Sequence, residues 1–496
     1  MKEVVSQENM RKSDEYTIKN HISSKELMHR AAYGIYKNLP LEKFDSPSVL
    51  VVTGTGNNAG DGYALALILK ENKISPSLVL IEERFSADGA YYFEKCKEAG
   101  INYSLYQGEN LKADIIVDCI FGTGFKGEPR AKYKDAIEKI NSSGAYVVCA
   151  DINSGLNGDS GLGSSVVKSD ITVSIGTIKS GHLLNMAKDK IGKLVNEDIG
   201  IKIIEKPYYL FEEADARALL KKREQFSNKG TYGYVTLIGG SFEYSGAIKL
   251  ANIASSAMRA GAGVVRLATQ RSIGHAVMPY LLESTLYPLS ENENGLVFNE
   301  NEIQGAQKGV KAIGVGMGLG LGAEKAKIIN YLLESTEVPM LFDADALNII
   351  SKEEISLKKA KAPVLLTPHL KELERLTKIP LEKIQESPIE IAKSYAKENG
   401  VILLLKGTAT IVTDGDEVVI INRGCAGMAT AGSGDVLSGI ITSLLAQISS
   451  PFSAVCLGAY INGLAGEIAE KKNGAISMVA SDTASCVKDA ILKITK

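Results

Sequence analysis

The residues with the most chemical potential stand in four turns. The string GTGNNAGDG (54–62) follows the β-branched run SVLVVT (48–53) and opens into a helical pattern. Its glycines let successive amides face one concavity while Asn57 and Asn58 add side-chain donors, an arrangement that suits a phosphate or a ribose. GTGFKG (122–127), followed by Glu128, matches GxGxxG after a strand, on its own a weak dinucleotide signal. DINSG (151–155) supplies Asp151 and Ser154 at the end of another apolar run. In the second half, ATAGSGD (429–435) leads into a helical stretch expected to begin at Asp435. Gly432 to Gly434 free the amides of a helix N-terminus to hold a phosphoryl group whose charge grows during transfer. Asp435, beside that anion hole, is placed to take the proton of an attacking hydroxyl.

These turns need rigid elements behind them, and the sequence predicts strands alternating with helices, the signature of parallel α/β layers. Strands are expected at 48–53, 77–82, 114–121, 145–150 and 170–175, and again at 234–240, 263–268, 310–315, 338–345, 363–367 and 401–407. Open α/β sheets bind ligands at the C-terminal ends of their strands, so Asn58, Asp118, Gly122 to Glu128, Asp151 and Ser154 should converge on one crevice. After Ile204 the alternation lapses in the charge-dense EKPYYLFEEADARALLKKREQFSNKG. The expected organisation is a first domain over 1–208, a linker and start of the second over 209–226, and a second domain over 227–496.

Composition removes other functions. The 496 residues carry 56 Lys and Arg against 58 Asp and Glu, a formal charge of −2, so no global field draws nucleic acid or anionic lipid. Six scattered cysteines form no CxxC pair, which argues against a zinc knuckle or disulfide framework and for buried thiols in a reducing cytoplasm. The first twenty residues read as an amphipathic helical start with no apolar h-region, and no run of 18 apolar residues occurs, so neither a secretory signal nor a membrane is expected. GxxxxGK[ST], HExxH and GxSxG are absent. The five histidines are far apart, and each is read as a surface or packing residue.

Together NNAGDG, DCIFGTGFKGE and DINSGLNGDSG resemble the N-terminal NAD(P)H-hydrate epimerase domain of the bifunctional NAD(P)H-hydrate repair enzymes. That resemblance implies a Rossmann-like three-layer domain, a potassium ion, and a substrate that is NADH or NADPH hydrated on the nicotinamide ring (NADHX, NADPHX). It places the substrate on Asn57, Asn58, Ala59, Gly60 and Asp61, on Gly122, Thr123, Gly124, Phe125, Lys126, Gly127 and Glu128, and on Asp151, which it makes catalytic. Potassium falls to Asn58, Asp118 and Ser154.

Downstream, KGTYG (229–233), YSGA (244–247), GVGMGLG (314–320), DADALN (343–348), TPHLKE (367–372), KGTATIVTDG (406–415) and the GSGD turn resemble, in this order, the C-terminal ADP- or ATP-dependent NAD(P)H-hydrate dehydratase domain, which has a ribokinase-like α/β fold. The resemblance puts substrate on Ala247, Gly318, His369 and Asp435, with Asp435 catalytic, and nucleotide on Lys406, Gly407, Thr408, Ala409, Thr410 and Gly434. Mg²⁺ is expected on general phosphoryl-transfer grounds, and a homo-oligomer is expected. Departures from the family pattern are Ala59 for a frequent Gly, Asn153 and Met317 for frequent prolines, Lys371 for Gly and Cys425 for Asn. The alternative is a ribokinase-like kinase of a small alcohol with an N-terminal nucleotide- or RNA-binding scaffold.

Overall fold

The computed structural model describes residues 1–253 and 259–496. The chain forms two compact units, Glu3–Tyr208 and Tyr209–Lys496, the latter grouping with Met1–Lys2.

The first unit is built on a seven-stranded parallel sheet. Its strands are β1 (Val49–Thr53), β2 (Pro76–Leu80), β3 (Asn102–Leu105), β4 (Ile115–Cys119), β5 (Tyr146–Ala150), β6 (Ser169–Ile175) and β7 (Ile191–Glu197), in the order β3-β2-β1-β4-β5-β6-β7. Val49 and Val51 pack into one apolar cluster and Leu50 and Val52 into another, because helices cover both faces and alternate side chains point to opposite layers. This is the three-layer, Rossmann-like arrangement. The order reverses at β1, which pairs with β2 on one side and β4 on the other. A crevice must therefore open where the loops leaving β1 and β4 part.

The extreme N-terminus differs from expectation. Val4 and Val5 pair in parallel with Ile178 and Lys179, and helix α1 (Gln7–Asn20) starts only after Ser6, whose Oγ accepts the Asn9 N–H at 3.1 Å.

In the second unit the strands are β8 (Tyr208–Leu210), β9 (Tyr234–Ile238), β10 (Val264–Gln270), β11 (Thr285–Leu289), β12 (Ala312–Val315), β13 (Met340–Phe342), β14 (Val364–Leu366), β15 (Ile402–Leu405), β16 (Thr410–Thr413) and β17 (Val418–Ile421). They run in the order β11-β10-β9-β12-β13-β14-β15-β16-β17-β8, parallel except at β16, which is antiparallel to both neighbours. The stretch after residue 208, expected to be linker and the start of the second domain, forms β8 and the helix Glu213–Leu219, and it buries Phe211 and Ala216 in this unit's core. One helix among the described residues, Pro451–Asn473, is long and apolar enough to cross a membrane, but 78% of its most apolar window is buried here.

Candidate functional site

In the first unit the loop after β1 becomes the N-terminus of helix α2 (Asn57–Glu71), and the loop after β4 lies against it. The approach is close enough that a Cβ on Gly54 would fall 2.2 Å from the Ile120 carbonyl oxygen, so only glycine fits. A cleft of about 810 Å³ opens beyond this contact, with Asn57, Asn58, Asp61, Gly122, Thr123, Gly124, Phe125, Lys126 and Asp151 in its walls. Four predicted residues do not line it. Ala59 and Gly60 lie on the inner side of α2, Ala59 in the core and Gly60 against Met28, while Gly127 and Glu128 are exposed beyond the rim. Phe125 stacks on Phe121 at 4.3 Å, and Phe121 on Tyr133 at 4.9 Å, so an aromatic pile supports this wall.

Asp151 is held in an unusual conformation, φ +61°, in the left-handed region. Its Oδ1 accepts from Lys179 Nζ at 2.5 Å and from the Ile175 N–H at 3.3 Å, and its Oδ2 from the Thr123 N–H at 3.4 Å. Burial opposes its charge, but the Lys179 ammonium and these hydrogen bonds outweigh burial and hold the carboxyl below the usual range. His182 fixes the backbone: the Lys179 N–H donates to its Nδ1 at 3.0 Å, so Nε2–H donates to the Asp151 carbonyl at 2.7 Å. Burial pushes the imidazole down to about 4, which keeps it neutral. Lys179 and His182 were missed in the sequence, because a lone Lys or His outside a motif carries no periodic or spacing signal.

Beneath the cleft, Asp118 is fully buried and accepts from Ser154 Oγ (2.6 Å), Ser154 N–H (2.9 Å), Ile120 N–H (3.1 Å) and Cys149 Sγ (3.3 Å). Burial still raises its pKa. Ser154 Oγ in turn accepts the Phe121 N–H at 2.8 Å, and Asn58 Nδ2 donates to the Phe121 carbonyl at 2.9 Å. Asn58 Oδ1 is buried with no hydrogen-bond partner. Asn58, Asp118 and Ser154 are thus brought together by Phe121.

In the second unit the GSGD turn caps a helix that begins at Ser433, two residues before its expected start. Gly432 has φ +92°, and a Cβ there would lie 2.3 Å from Leu250 Cδ1, so no other residue fits without movement. A Cβ on Gly434 would sit 3.4 Å from Lys406 Nζ and 3.5 Å from Asp343 Oδ2, which gathers three groups at the helix N-terminus. Lys406 Nζ pairs with Asp343 Oδ1 at 2.9 Å and approaches Glu372 Oε2 at 3.7 Å. Burial opposes its charge, yet Asp343 and Glu372 outweigh burial and raise its pKa. Ser438 Oγ, one turn after Asp435, donates to Asp343 Oδ2 at 2.7 Å. Asp435 is pushed up to about 7, first by burial and then by repulsion from Asp343.

His369 caps its own helix, Leu370–Thr377: its Nδ1 accepts the Lys371 N–H at 3.1 Å, and its N–H donates to Glu372 Oε2 at 2.8 Å. It lies beside Lys406 through a parallel bridge. Gly318 (φ +65°) packs against Ala247, and the Gly320 N–H donates to Asp345 Oδ2 at 2.8 Å. Gly407 and Thr408 are exposed in the turn between β15 and β16, while the Ala409 side chain is buried and Thr410 opens β16. The contact of Asp343, the first residue of DADALN, with Ser438 emerges only when the end of β13 and the GSGD helix are packed together.

The family model described as NAD(P)H-hydrate dehydratase matches residues 235–489, and that described as YjeF-related protein N-terminus matches residues 24–181. A relative from Moorella thermoacetica, a bifunctional NAD(P)H-hydrate repair enzyme, is 35% identical over 88% of this chain and 85% of its own length. A relative of the same name from Escherichia coli is 32% identical over 93% and 88%. Among solved structures, the ADP/ATP-dependent NAD(P)H-hydrate dehydratase from Bacillus subtilis, co-crystallised with ATP and Mg²⁺, is 28% identical with a TM-score of 0.52 and covers 58% of this chain and 99% of its own. A ribokinase-like protein from Enterococcus faecalis, at 24% identity and TM-score 0.51, shares the fold. Both halves are matched in order, and full-length relatives align across both, so the chain belongs to the bifunctional NAD(P)H-hydrate repair enzymes.

Proposed function

We propose that the first unit interconverts the R and S epimers of hydrated NADH or NADPH at C6, and that the second dehydrates the S epimer at the expense of ADP or ATP. The observation that carries the second activity is Asp435: a carboxyl tuned to about 7, at the mouth of an anion hole and beside Lys406. Asp435 takes the proton of the C6 hydroxyl as that oxygen attacks the terminal phosphorus of the nucleotide. The helix amides and Lys406 receive the transferred charge. The ring nitrogen lone pair then expels phosphate, and loss of a C5 proton restores the dihydronicotinamide. Ala247, Gly318 and His369 form the substrate side, and the Lys406 to Thr410 turn with Gly434 the nucleotide side.

Potassium fits the first unit. The orphaned Asn58 Oδ1, the buried Asp118 carboxylate and Ser154 Oγ are the hard oxygen donors such an ion takes. They would hold it, and its charge would fix the loops after β4 and β5. Mg²⁺ accompanies the nucleotide, carried by its phosphate oxygens. Six free cysteines, five of them buried, support a cytoplasmic setting.

The test supplies pure S epimer with ADP or ATP and measures phosphate and NAD(P)H together. Equal amounts of both are expected; a stable phosphorylated alcohol without NAD(P)H would identify a small-alcohol kinase instead.

A further inference from the structure

Among the charged groups that line the epimerase cleft, Asp14, Asp61 and Asp151 act on one another and on the Lys179 ammonium; Glu8, Arg11, Asp88, Lys126 and Asp159 also line it. Asp14 comes from α1, outside the residues matched by the family model, Asp61 from α2, just past its first turn, and Asp151 from the loop that leaves β5. Lys179, 1% exposed, commits one proton to Asp151 Oδ1 and another to the Ile175 carbonyl at 2.7 Å. Its charge is thereby matched to Asp151. No hydrogen bond from a described residue reaches the Asp61 carboxylate, and apolar Leu27, Met28 and Ile199 share its wall. Asp14 and Asp151 both repel it, Lys179 attracts it less strongly, and Tyr92 and Cys119, which also feel its charge, are neutral near pH 7. Burial, followed by that repulsion, raises Asp61 well above the carboxylate range, while Asp151 stays ionised. Two carboxyls whose surroundings drive them apart in this way form an acid and a base.

We infer that Asp61 is the general acid of the epimerisation, with Asp151 the base, and that Asp14 is a positioning residue acting through Asp61; the inference rests on the epimerase reading above. Asp61 gives its proton to the C6 hydroxyl, the C6–O bond breaks with its electron pair leaving on water, and the N1 lone pair forms an N1=C6 iminium. A water molecule adds to the opposite face of C6 and passes a proton to the Asp151 carboxylate. Proton return from Asp151 to Asp61 through water in the cleft restores the enzyme.

The experiment follows R-to-S conversion from pH 5 to 9 in the full chain with Asp61→Asn, Asp61→Glu and Asp14→Asn. Thermal melts and dehydration of pure S epimer report folding of each variant. Asp61→Asn should lose at least ~10²-fold in epimerisation, with Asp61→Glu recovering part of it. Asp14→Asn should retain activity at low pH but lose it at a lower pH than the parent, because removing one repelling charge lets Asp61 ionise earlier. Asp61→Asn working within threefold of the parent, or an Asp14→Asn profile superimposed on the parent's, overturns the inference. A parent chain that interconverts no epimers overturns the epimerase reading itself, and the inference with it.

Discussion

Asp435 must be ionised to accept a proton, and its surroundings make that charge costly. Since burial and Asp343 push it up to about 7, dehydration should fall as the pH drops through that value, when the base is protonated. Asp343→Asn removes the repelling charge, so the acid limb of kcat/KM should move to lower pH, measured against pH with S epimer and saturating nucleotide. Asp435→Asn keeps the shape and removes the acceptor. It should cost ~10²–10⁴-fold in phosphoryl transfer while calorimetry still detects nucleotide binding. The residues at this scale that were legible in the sequence stand at glycine turns, as Asp435 behind Gly432 and Gly434 and Asn58 and Asp61 within theirs, or at strand ends, as Asp118, Asp151 and Ser154. Lys179, His182 and Asp14 were not legible, because their contribution is a charge or hydrogen bond delivered from a distant part of the chain.

The elements follow the same logic. Central strands such as β1 and β4, buried on both faces, announce themselves as apolar runs. Edge and hairpin strands do not: β3 is exposed at every position, β7 carries Lys193, Asn196 and Glu197, and β11 contains Pro288. Asn153, standing where the family often has proline, shows how a local departure is absorbed. Fully buried, its amide donates to the Val167 carbonyl at 2.8 Å and to Ser169 Oγ and the Lys190 carbonyl at 3.0 Å, and its Oδ1 accepts from Thr172 Oγ1 at 2.5 Å. The asparagine therefore ties the loop after β5 to β6 and to the residue before β7. Asn153→Ala strands those partners and should cost about 1–3 kcal/mol, read as a lowered denaturant midpoint of the first unit.

For the whole molecule, each unit has its own core, so the chain should divide. The cut belongs before β8, since Phe211 and Ala216 are buried in the second unit. Fragments 1–206 and 207–496 should each fold by circular dichroism, whereas a cut near residue 220 strips β8 from the second sheet and should leave that piece unstable. The two activities complement each other: hydration yields both epimers, the dehydratase consumes one, and the epimerase feeds it the other. The most direct measurement gives pure R epimer and nucleotide to the parent chain and follows the absorbance of reduced nicotinamide. Complete recovery is predicted, with Asp151→Asn slowing it at least ~10²-fold on R epimer but not on S, and with Asp435→Asn accumulating S epimer and little NAD(P)H. R epimer that stays unchanged, or S epimer that forms in the parent and is not dehydrated with either ADP or ATP, would contradict the account.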